Sequence, residues 1–455
     1  MRRSLTLACV LLLLSAGVLL GAFALSRGWE AGVLIDADTL SGDPAAAEGI
    51  AVQVRAGCGG HLFWDTACRA GKNPSAQTDF SFSGTERRET RPRSPSLSLY
   101  VSCDGGVSGS DIDLLSDDQW GLTVRPAAAV AERTAPGEKR TETLPLRDYY
   151  DVYPLFLDLS FPDCVYNGTE ELQKAVRDYF QFPVPEDHLV QVTVQKDGGG
   201  SVSNVEISSV GSIGALSTAS VVTESGCFLA FSGSFTDRAS LDFSRVPGGY
   251  GLYYLPLEKS QSQDCVVTLT AGAITRVFPI DEKASEVYAL AASADGEELF
   301  LFTREADAFW LTVLDASGTR QLQKFSFMPA GEGSIFWNQW FYPEFMVIQT
   351  GEGNFALIRS DGEGGYETAF TCDAGEDGFK LLGHDAVFAY DGVRLVAATP
   401  QDYSLCSFYL SVFEEGRLAY AGLYRHSLDL SPPADYAYRC RLAEADPLEL
   451  SFLPS

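Results

Sequence analysis

The residues best suited to chemistry form an aromatic segment between positions 335 and 345, with the sequence Ile-Phe-Trp-Asn-Gln-Trp-Phe-Tyr-Pro-Glu-Phe. Its aromatic rings could stack on sugar rings or anchor a protein partner, and its amides could hydrogen-bond hydroxyl groups. We therefore predict a ligand-binding set of five residues: Trp337, Asn338, Gln339, Trp340 and Tyr342. The alternative is that these aromatic side chains pack a connection between sheets.

Motifs of known catalytic sites do not occur in the sequence. The four histidines are isolated from one another and match neither H-E-x-x-H nor an i, i+4 ligand pair. A G-x-S-x-G elbow, a P-loop and a dinucleotide-binding glycine motif are also missing. The sequence therefore predicts no catalytic residue and no cofactor. With 61 acidic residues, a pair of carboxylates that cleaves a glycoside stays open as an alternative.

Two acidic clusters could supply calcium ligands. One consists of Asp36, Asp38 and Asp43, and the other of Asp111, Asp113, Asp117 and Asp118. Neither has the D-x-D-x-D-G spacing of a calcium-binding loop. We interpret both as solvated acidic turns and predict no metal site.

The composition indicates an acidic β protein. A formal charge of -28 repels phosphate backbones, so nucleic acid is not an expected partner. Aromatic residues at 12%, 43 glycines and only 3 methionines favour strands joined by tight turns.

Nine of the ten cysteines lie beyond the first 25 residues, with wide spacing and no C-x-x-C pair. This spacing argues against a zinc site. Several of them sit in apolar segments, and we predict that most are buried free thiols. A disulfide from Cys58 to Cys68 or to Cys103 stays open.

The N-terminal residues predict a membrane anchor. Residues 5–25 carry no charge, and about 20 apolar residues suffice to cross the hydrocarbon core. Arg2 and Arg3 favour a cytoplasmic tail at residues 1–4, with the bulk of the chain outside the cytoplasm. We predict a single-pass helix over residues 5–26 at the cell membrane. Cleavage after Ala24, which would secrete the protein, is the alternative.

Residues 27–207 are predicted to be β-rich with one helix. Asp43 to Gly49 has the order of an N-cap, a proline and a glycine stop, which predicts one helical turn. Apolar residues that recur with helical spacing from Leu172 predict an amphipathic helix over residues 169–181. Strands are predicted at 50–56, 61–69, 78–83, 127–134, 139–146 and 152–161.

From residue 208 to about 430 the sequence repeats itself. Residues 309–315 (Phe-Trp-Leu-Thr-Val-Leu-Asp) are echoed 99 positions later by residues 408–414 (Phe-Tyr-Leu-Ser-Val-Phe-Glu). Residues 293–299 are echoed 96 positions later, and a degenerate copy lies between. A period of about 50 residues with four strands per unit is typical of propeller blades. We predict four units, at 208–280, 281–327, 333–372 and 379–424.

The turns of these units resemble those of known propellers. Ser293-Ala294-Asp295-Gly296 resembles the S-x-D-G-x-x-L turn of TolB and WD40-like blades, and residues 314–318 are similar to the L-D-x-x-G turn of quinoprotein-like blades. The resemblance implies a fold and no function. We predict an all-β propeller of about six or seven four-stranded blades, or a smaller propeller with an N-terminal β-sheet domain. Residues 431–455 are predicted to form a C-terminal strand segment that could close the ring.

These expectations combine into a functional hypothesis. We predict a membrane-anchored, extracytoplasmic propeller that binds a protein or glycan ligand at the cell surface without catalysis. One alternative is an extracytoplasmic polysaccharide hydrolase or lyase that uses carboxylates in the propeller channel. The other is an extracytoplasmic sensor with a membrane partner. The oligomeric state is left open.

Overall fold

The computed structural model divides the chain into two compact units. Unit 1 comprises residues 1–90, 337–360 and 367–455, and unit 2 comprises residues 91–336 and 361–366. The described residues are 11–21, 23–24, 30, 33–58, 62–82, 95–109, 112, 114, 122–161, 170–210, 217–232, 241–259, 267–269, 274–281, 285–331, 336–351, 353–373, 382–383, 385–401, 406–427, 443–445 and 448–453.

Unit 1 opens with four strands: β1 (Ile35–Gly42), β2 (Ile50–Cys58), β3 (Leu62–Arg69) and β4 (Ser75–Phe82). A short 3-10 helix, Pro44–Ala47, follows β1. The Asp43 carboxylate accepts a hydrogen bond of 2.9 Å from the amide of Ala45 and so caps this helix. The predicted helical turn and the strands predicted at 50–56 and 61–69 are confirmed.

Unit 2 contains the next sixteen described strands and two α-helices. They are β5 (Ser96–Tyr100), β6 (Gly105–Ser108), α1 (Arg125–Glu132), β7 (Lys139–Pro145), β8 (Phe156–Ser160), α2 (Glu170–Tyr179), β9 (Leu189–Lys196), β10 (Val202–Val210), β11 (Ser217–Thr223), β12 (Gly226–Ser232), β13 (Gly251–Leu255), β14 (Leu257–Lys259), β15 (Val267–Leu269), β16 (Thr275–Pro279), β17 (Ser285–Ala292), β18 (Glu298–Glu305), β19 (Ala308–Asp315) and β20 (Gln321–Pro329). A 3-10 helix, Leu146–Asp148, follows β7.

Unit 1 resumes within the next strand. Its remaining described strands are β21 (Phe336–Phe341), β22 (Phe345–Thr350), β23 (Asn354–Ser360), β24 (Tyr366–Asp373), β25 (Val387–Tyr390), β26 (Arg394–Pro400), β27 (Phe408–Glu414), β28 (Arg417–His426), β29 (Ala443–Ala445) and β30 (Glu449–Phe452).

Antiparallel groups of four strands recur in the sheets of both units, which confirms the predicted mainly β architecture. In unit 2, β17 to β20 form consecutive antiparallel pairs, and β11, β12, β13 and β16 form a second such group. In unit 1, β21 to β24 form one sheet and β25 to β28 form another. Each of the four units predicted from the repeat overlaps one of these groups, and three of the groups end one or two residues beyond the predicted bounds.

In unit 1 the earliest strands pair with the latest. β1 pairs antiparallel with β28, from Ile35 opposite His426 to Gly42 opposite Tyr420. β29 and β30 both pair with β2. The C-terminal segment therefore contributes strands to the sheet of β2, β3 and β4.

The core of unit 2 is aromatic where α2 packs. Leu172 and Val176 on the buried face of this helix, and Phe180 directly after it, are each 1% exposed. The Phe180 ring packs edge-on against Phe231 at 5.3 Å and Tyr253 at 4.9 Å between centroids. The helix predicted over residues 169–181 corresponds to α2.

A second helix corrects the sequence analysis. The strand predicted over residues 127–134 is wrong, because α1 spans Arg125–Glu132. Its sequence is alanine-rich, with a proline in the first turn, and both features favour a helix. Ala127, Val130 and Ala131 are buried at the i, i+3, i+4 spacing of a helix that packs one face on a sheet.

The predicted membrane span is not supported. Residues 11–21 are helical, whereas residues 5–10 and several positions near the end of the predicted span lie outside the described residues. Within the described ranges, no helix combines the length and the apolar character needed to cross a membrane.

The described cysteines behave largely as predicted. Five of them are buried free thiols: Cys68, Cys103, Cys227, Cys372 and Cys406. The disulfides left open between Cys58 and Cys68 or Cys103 are therefore wrong. Burial raises the pKa of the Cys68 thiol to about 12, so this cysteine is a small apolar core residue.

Two turn glycines of unit 1 provide a test of the packing. Gly416 and Gly392 both have positive φ, at 76° and 94°. A Cβ on Gly416 would lie 2.3 Å from the carbonyl oxygen of Thr371, whereas a Cβ on Gly392 would meet nothing within 4 Å. We expect Gly392→Ala to lower the free energy of unfolding by about 1 kcal/mol. Gly416→Ala should lower it by about 1–3 kcal/mol more, because the backbone must shift. Urea unfolding measures both, and equal losses would contradict this packing.

Candidate functional site

A cavity of about 650 Å³ lies in unit 2, within the size range of small-molecule sites. Two hairpin turns form much of its wall: the β11–β12 turn, residues 223–226, and the β17–β18 turn, residues 292–297. The remaining lining residues, most of them apolar, are Pro95, Phe161, Val222, Leu257 and Ala316.

The β17–β18 turn holds its own aspartate. One oxygen of the Asp295 carboxylate accepts hydrogen bonds from the Ser293 hydroxyl at 2.6 Å and from the Glu297 amide at 3.1 Å. Gly296 supplies the positive φ, 75°, that this tight turn requires. These hydrogen bonds, that of Ser293 foremost, lower the pKa of the Asp295 carboxyl. Asp295 is therefore an ionised carboxylate whose hydrogen bonds stabilise its own turn.

Residues of β13 contact and stabilise the β11–β12 turn. The Tyr254 hydroxyl donates a hydrogen bond to the carbonyl oxygen of Ser225. A Cβ on Gly226 would lie 2.6 Å from the carbonyl oxygen of Leu255, so only glycine allows this close approach. Within the turn, the hydroxyls of Thr223 and Ser225 lie 3.0 Å apart.

The charged residues that line the cavity are all acidic. Glu224, Asp295 and Glu297 all line it and are exposed. Among the lining residues that the structure describes there is no lysine, arginine or histidine. Anionic molecules are therefore disfavoured, whereas neutral hydroxylated or cationic molecules are not.

The strand behind Glu297 is anchored by a tyrosine. The Tyr366 hydroxyl donates to the Glu298 carboxylate at 2.7 Å, and its ring packs edge-on against Phe300 at 5.2 Å. Burial, followed by Glu298, raises the pKa of Tyr366, so the phenol stays protonated as a donor. The start of β18 is therefore a fixed support for the turn.

The predicted aromatic ligand-binding set lies on and after β21. The Trp340 ring packs on Phe388 at 4.8 Å, and the Tyr342 ring stacks on Phe345 at 4.6 Å. The Tyr342 hydroxyl also accepts a hydrogen bond of 2.8 Å from the amide of Phe388. Both rings are half-buried against a core cluster of unit 1.

The polar members of the set are placed differently. The Asn338 amide donates to the side-chain oxygen of Gln349 at 3.0 Å, and Gln339 is exposed. The side chain of Trp337 is not among the parts of the chain that the structure describes. The ligand-binding role of these five residues stays a prediction.

The acidic clusters weighed as calcium sites have other partners or fall outside the described residues. Asp43 caps the first 3-10 helix, and Asp38 forms an ion pair with Arg425. Asp111, Asp113, Asp117 and Asp118 lie outside the described ranges. In the described part of the chain, no three potential metal ligands come together.

Of the four histidines, His61 and His384 lie outside the described residues. His426 is fully buried, and its Nε2 lies 3.0 Å from the Thr66 hydroxyl. His188 is also buried and contacts two hydroxyl groups of unit 2.

Comparison with solved structures gives distant likenesses. A proposed 6-phosphogluconolactonase from Bacteroides fragilis is 10% identical, with a TM-score of 0.32, 83% of this chain covered and 95% of that chain. The periplasmic gluconolactonase PpgL of Pseudomonas aeruginosa is 18% identical, with a TM-score of 0.25 and coverages of 58% and 74%. The β-propeller domain of Cps50 (Swd1) from Myceliophteria thermophila is 11% identical, with a TM-score of 0.25 and coverages of 54% and 84%. No protein-family model matches the chain, and no curated protein matches it.

These findings correct the functional prediction. A binding module without catalysis was predicted, yet structures similar to this chain include proteins named as lactonases, which are enzymes. The exclusion of catalysis is therefore withdrawn. At these TM-scores no substrate or residue role passes to this chain.

The Asp295 turn generates a pH prediction. We expect Ser293→Ala to raise the pKa of the Asp295 carboxyl toward its ordinary value of 3.8, because the main stabilising hydrogen bond is removed. In the intact turn the folded-state pKa is lowered. Its contribution to stability is therefore complete above the ordinary pKa and is lost as the pH falls through the folded-state value.

Carbon-13 NMR titration of the aspartate carboxyls measures this shift. Ser317→Ala is a matched control, because Ser317 donates at 2.9 Å to Asp315 in the β19–β20 turn. It should leave Asp295 unchanged. An unaltered Asp295 pKa in Ser293→Ala would contradict the assignment.

Proposed function

We propose that unit 2 is a hydrolase that acts on a small neutral sugar derivative in the acidic cavity. One observation carries this proposal: three carboxylates line a cavity of about 650 Å³ that also has hydroxyl groups and apolar walls. Carboxylates are the usual acids and bases of glycoside cleavage, and they also activate water for attack on a carbonyl carbon.

The three carboxylates have different roles in the proposal. Asp295 keeps its turn in place, because its oxygen is engaged by the turn. Glu224 and Glu297 belong to two different turns, so they can face a substrate from two directions. One removes a proton from the attacking water, and the other delivers a proton to the departing oxygen. The water oxygen then forms the new bond to carbon as the old carbon–oxygen bond breaks.

The surroundings of these glutamates define the substrate class. Acidic walls with no basic residue among the described lining residues disfavour phosphorylated or carboxylated sugars. The Thr223 and Ser225 hydroxyls can bind sugar hydroxyls, and the apolar residues can contact the carbon-bound faces of a ring. A neutral glycoside or sugar lactone fits this chemistry.

Glutamate substitutions test the proposal. Wild-type protein should hydrolyse members of a panel of neutral nitrophenyl glycosides and sugar lactones. Glu224→Gln and Glu297→Gln should each lower kcat by about 10²–10⁴-fold, because an acid or base is removed from the transition state. Product release is followed by absorbance for the glycosides and by pH-stat for the lactones.

The matched control is Glu132→Gln, an exposed glutamate at the end of α1. It should keep full activity. Hydrolysis that is unaffected in both cavity variants would overturn the proposal, as would a preference for phosphorylated sugars over neutral ones. Circular dichroism checks that each variant is folded.

We further propose that the chain acts outside the cytoplasm, where neutral glycan fragments are accessible. The charge-free residues 5–25 after Arg2 and Arg3 support export. Fusion of residues 1–32 to a reporter enzyme that is active only after export should give activity. Replacement of Leu11, Leu12 and Leu13 by arginine should abolish it. A reporter that stays in the cytoplasm with the native segment would contradict export. The predicted blade number of six or seven stays a prediction.

A further inference from the structure

A second group of reactive side chains lies in unit 2, away from the acidic cavity. The Nε2 atom of His188 lies 3.2 Å from the Ser209 hydroxyl, and its Nδ1 atom lies 2.8 Å from the Tyr153 hydroxyl. A hydroxyl, an imidazole and a third group that orients the imidazole are the parts of a nucleophilic serine site.

Strand register brings the serine and the histidine together. Ser209 of β10 is opposite Val190 of β9, and His188 directly precedes β9. His188 therefore continues the row of Val190, Val192 and Val194, which are 0% exposed on the buried face. Ser209 is the diagonal neighbour of His188 on that face.

Two backbone hydrogen bonds fix the chain at His188. The His188 backbone amide donates to Pro185 at 3.3 Å, and its carbonyl accepts from Leu146 at 2.9 Å. The histidine is 3% exposed, whereas Ser209 is half-buried. A small reagent can therefore approach the serine while the base stays shielded.

Acidic groups surround this pair. The Asp104 carboxylate, which is exposed, accepts a hydrogen bond of 2.6 Å from the Ser209 amide. Burial lowers the pKa of His188, and the charges of Asp104 and Asp187 act in the opposite direction. The two aspartates would stabilise an imidazolium and repel an anionic substrate. The Tyr153 phenol stays neutral, since burial first and then Cys103 and Asp187 raise its pKa.

This pair is separate from the acidic cavity. β5 and β8 pair with Ser96 opposite Ser160 and Tyr100 opposite Phe156. Pro95 and Phe161, which line the cavity, adjoin one end of this strand pair, whereas Tyr153, which contacts His188, lies beyond its other end. Five residues at about 3.3 Å each separate the two ends by about 17 Å.

We propose that Ser209 and His188 form an esterase site for small neutral acyl esters, with Tyr153 as a positioning residue. With a proton on Nδ1, His188 donates to the Tyr153 hydroxyl oxygen and leaves Nε2 free to accept the proton of Ser209. The serine oxygen bonds to the acyl carbon, and the ester carbon–oxygen bond breaks. The departing alcohol takes the proton from Nε2, and water then releases the acid by the same steps.

Two reagents test this site on the full chain. A fluorophosphonate should label Ser209, with loss of fluoride, and p-nitrophenyl acetate should release nitrophenol. Peptide mass spectrometry locates the label. Ser209→Ala should abolish labelling, whereas Ser208→Ala, which changes the exposed neighbour, should label like wild type. A label on another residue, or undiminished labelling of Ser209→Ala, would overturn the site.

The roles of the other two residues have distinct readouts. His188→Gln should slow labelling by about 10²–10⁴-fold. Tyr153→Phe should slow it less and move the inflection of the pH–rate profile to lower pH, because the imidazolium loses a hydrogen-bond acceptor. Labelling of folded His188→Gln at the wild-type rate refutes the proposal. If circular dichroism shows that this variant is unfolded, a Tyr153→Phe pH profile identical to that of wild type refutes it instead.

The serine site is distinct from the proposed sugar hydrolase site, so each can be tested without the other. Glu224→Gln with Glu297→Gln should leave fluorophosphonate labelling unchanged, and Ser209→Ala should leave sugar hydrolysis unchanged. A loss of labelling in the double glutamate variant would contradict the separation of the two sites.

Discussion

The need to pair backbone hydrogen-bonding groups at strand edges governs this structure. A four-stranded sheet has two edges, and an unpaired edge attracts other chains. In unit 1, β1 covers the outer edge of β28, and β29 and β30 pair with β2. Pairing between strands hundreds of residues apart therefore completes two sheets of unit 1, the sheet of β25 to β28 and the sheet of β2 to β4. Side-chain packing adds to this backbone pairing. Phe408 and Tyr424, which are opposite each other in the β27–β28 pair, stack with their ring centroids 5.1 Å apart.

The acidic cavity follows from the same architecture at the level of turns. Short hairpins between paired strands need glycine and aspartate, and Asp295 with Gly296 meets this need in the β17–β18 turn. The carboxylates of Glu224 and Glu297 are carried by such turns, so sheet packing fixes their backbone. Binding residues on loops that a rigid scaffold positions are a common arrangement in enzymes. Asp295, which stabilises the conformation of its turn, thereby also contributes negative charge to the cavity.

The sequence predicted much of the fold and little of the candidate chemistry. The four repeat units and α2 were predictable, because strand alternation and helical spacing are local patterns. α1 was not, since the alanine-rich segment that begins at Arg125 spans only eight residues. The Ser293–Gly296 turn was recognised as a blade feature, but the sequence does not show that it faces the β11–β12 turn. The approach of His188 to Ser209 depends on the register of β9 and β10, which only the paired strands reveal.

The pairing of early with late strands in unit 1 has a consequence for biosynthesis. Unit 2 is built from residues 91–336 and 361–366, so all its strands have been synthesised while β28, β29 and β30, which pair with β1 and β2, are still missing. Strands β1 and β2 must then wait for β28, β29 and β30 with open edges. Contacts between residues so far apart in sequence form slowly, and nascent chains with open edges are prone to aggregate. Unit 1 is therefore completed only after β28, β29 and β30 have been synthesised, and a chain that stops before them lacks these partners of β1 and β2.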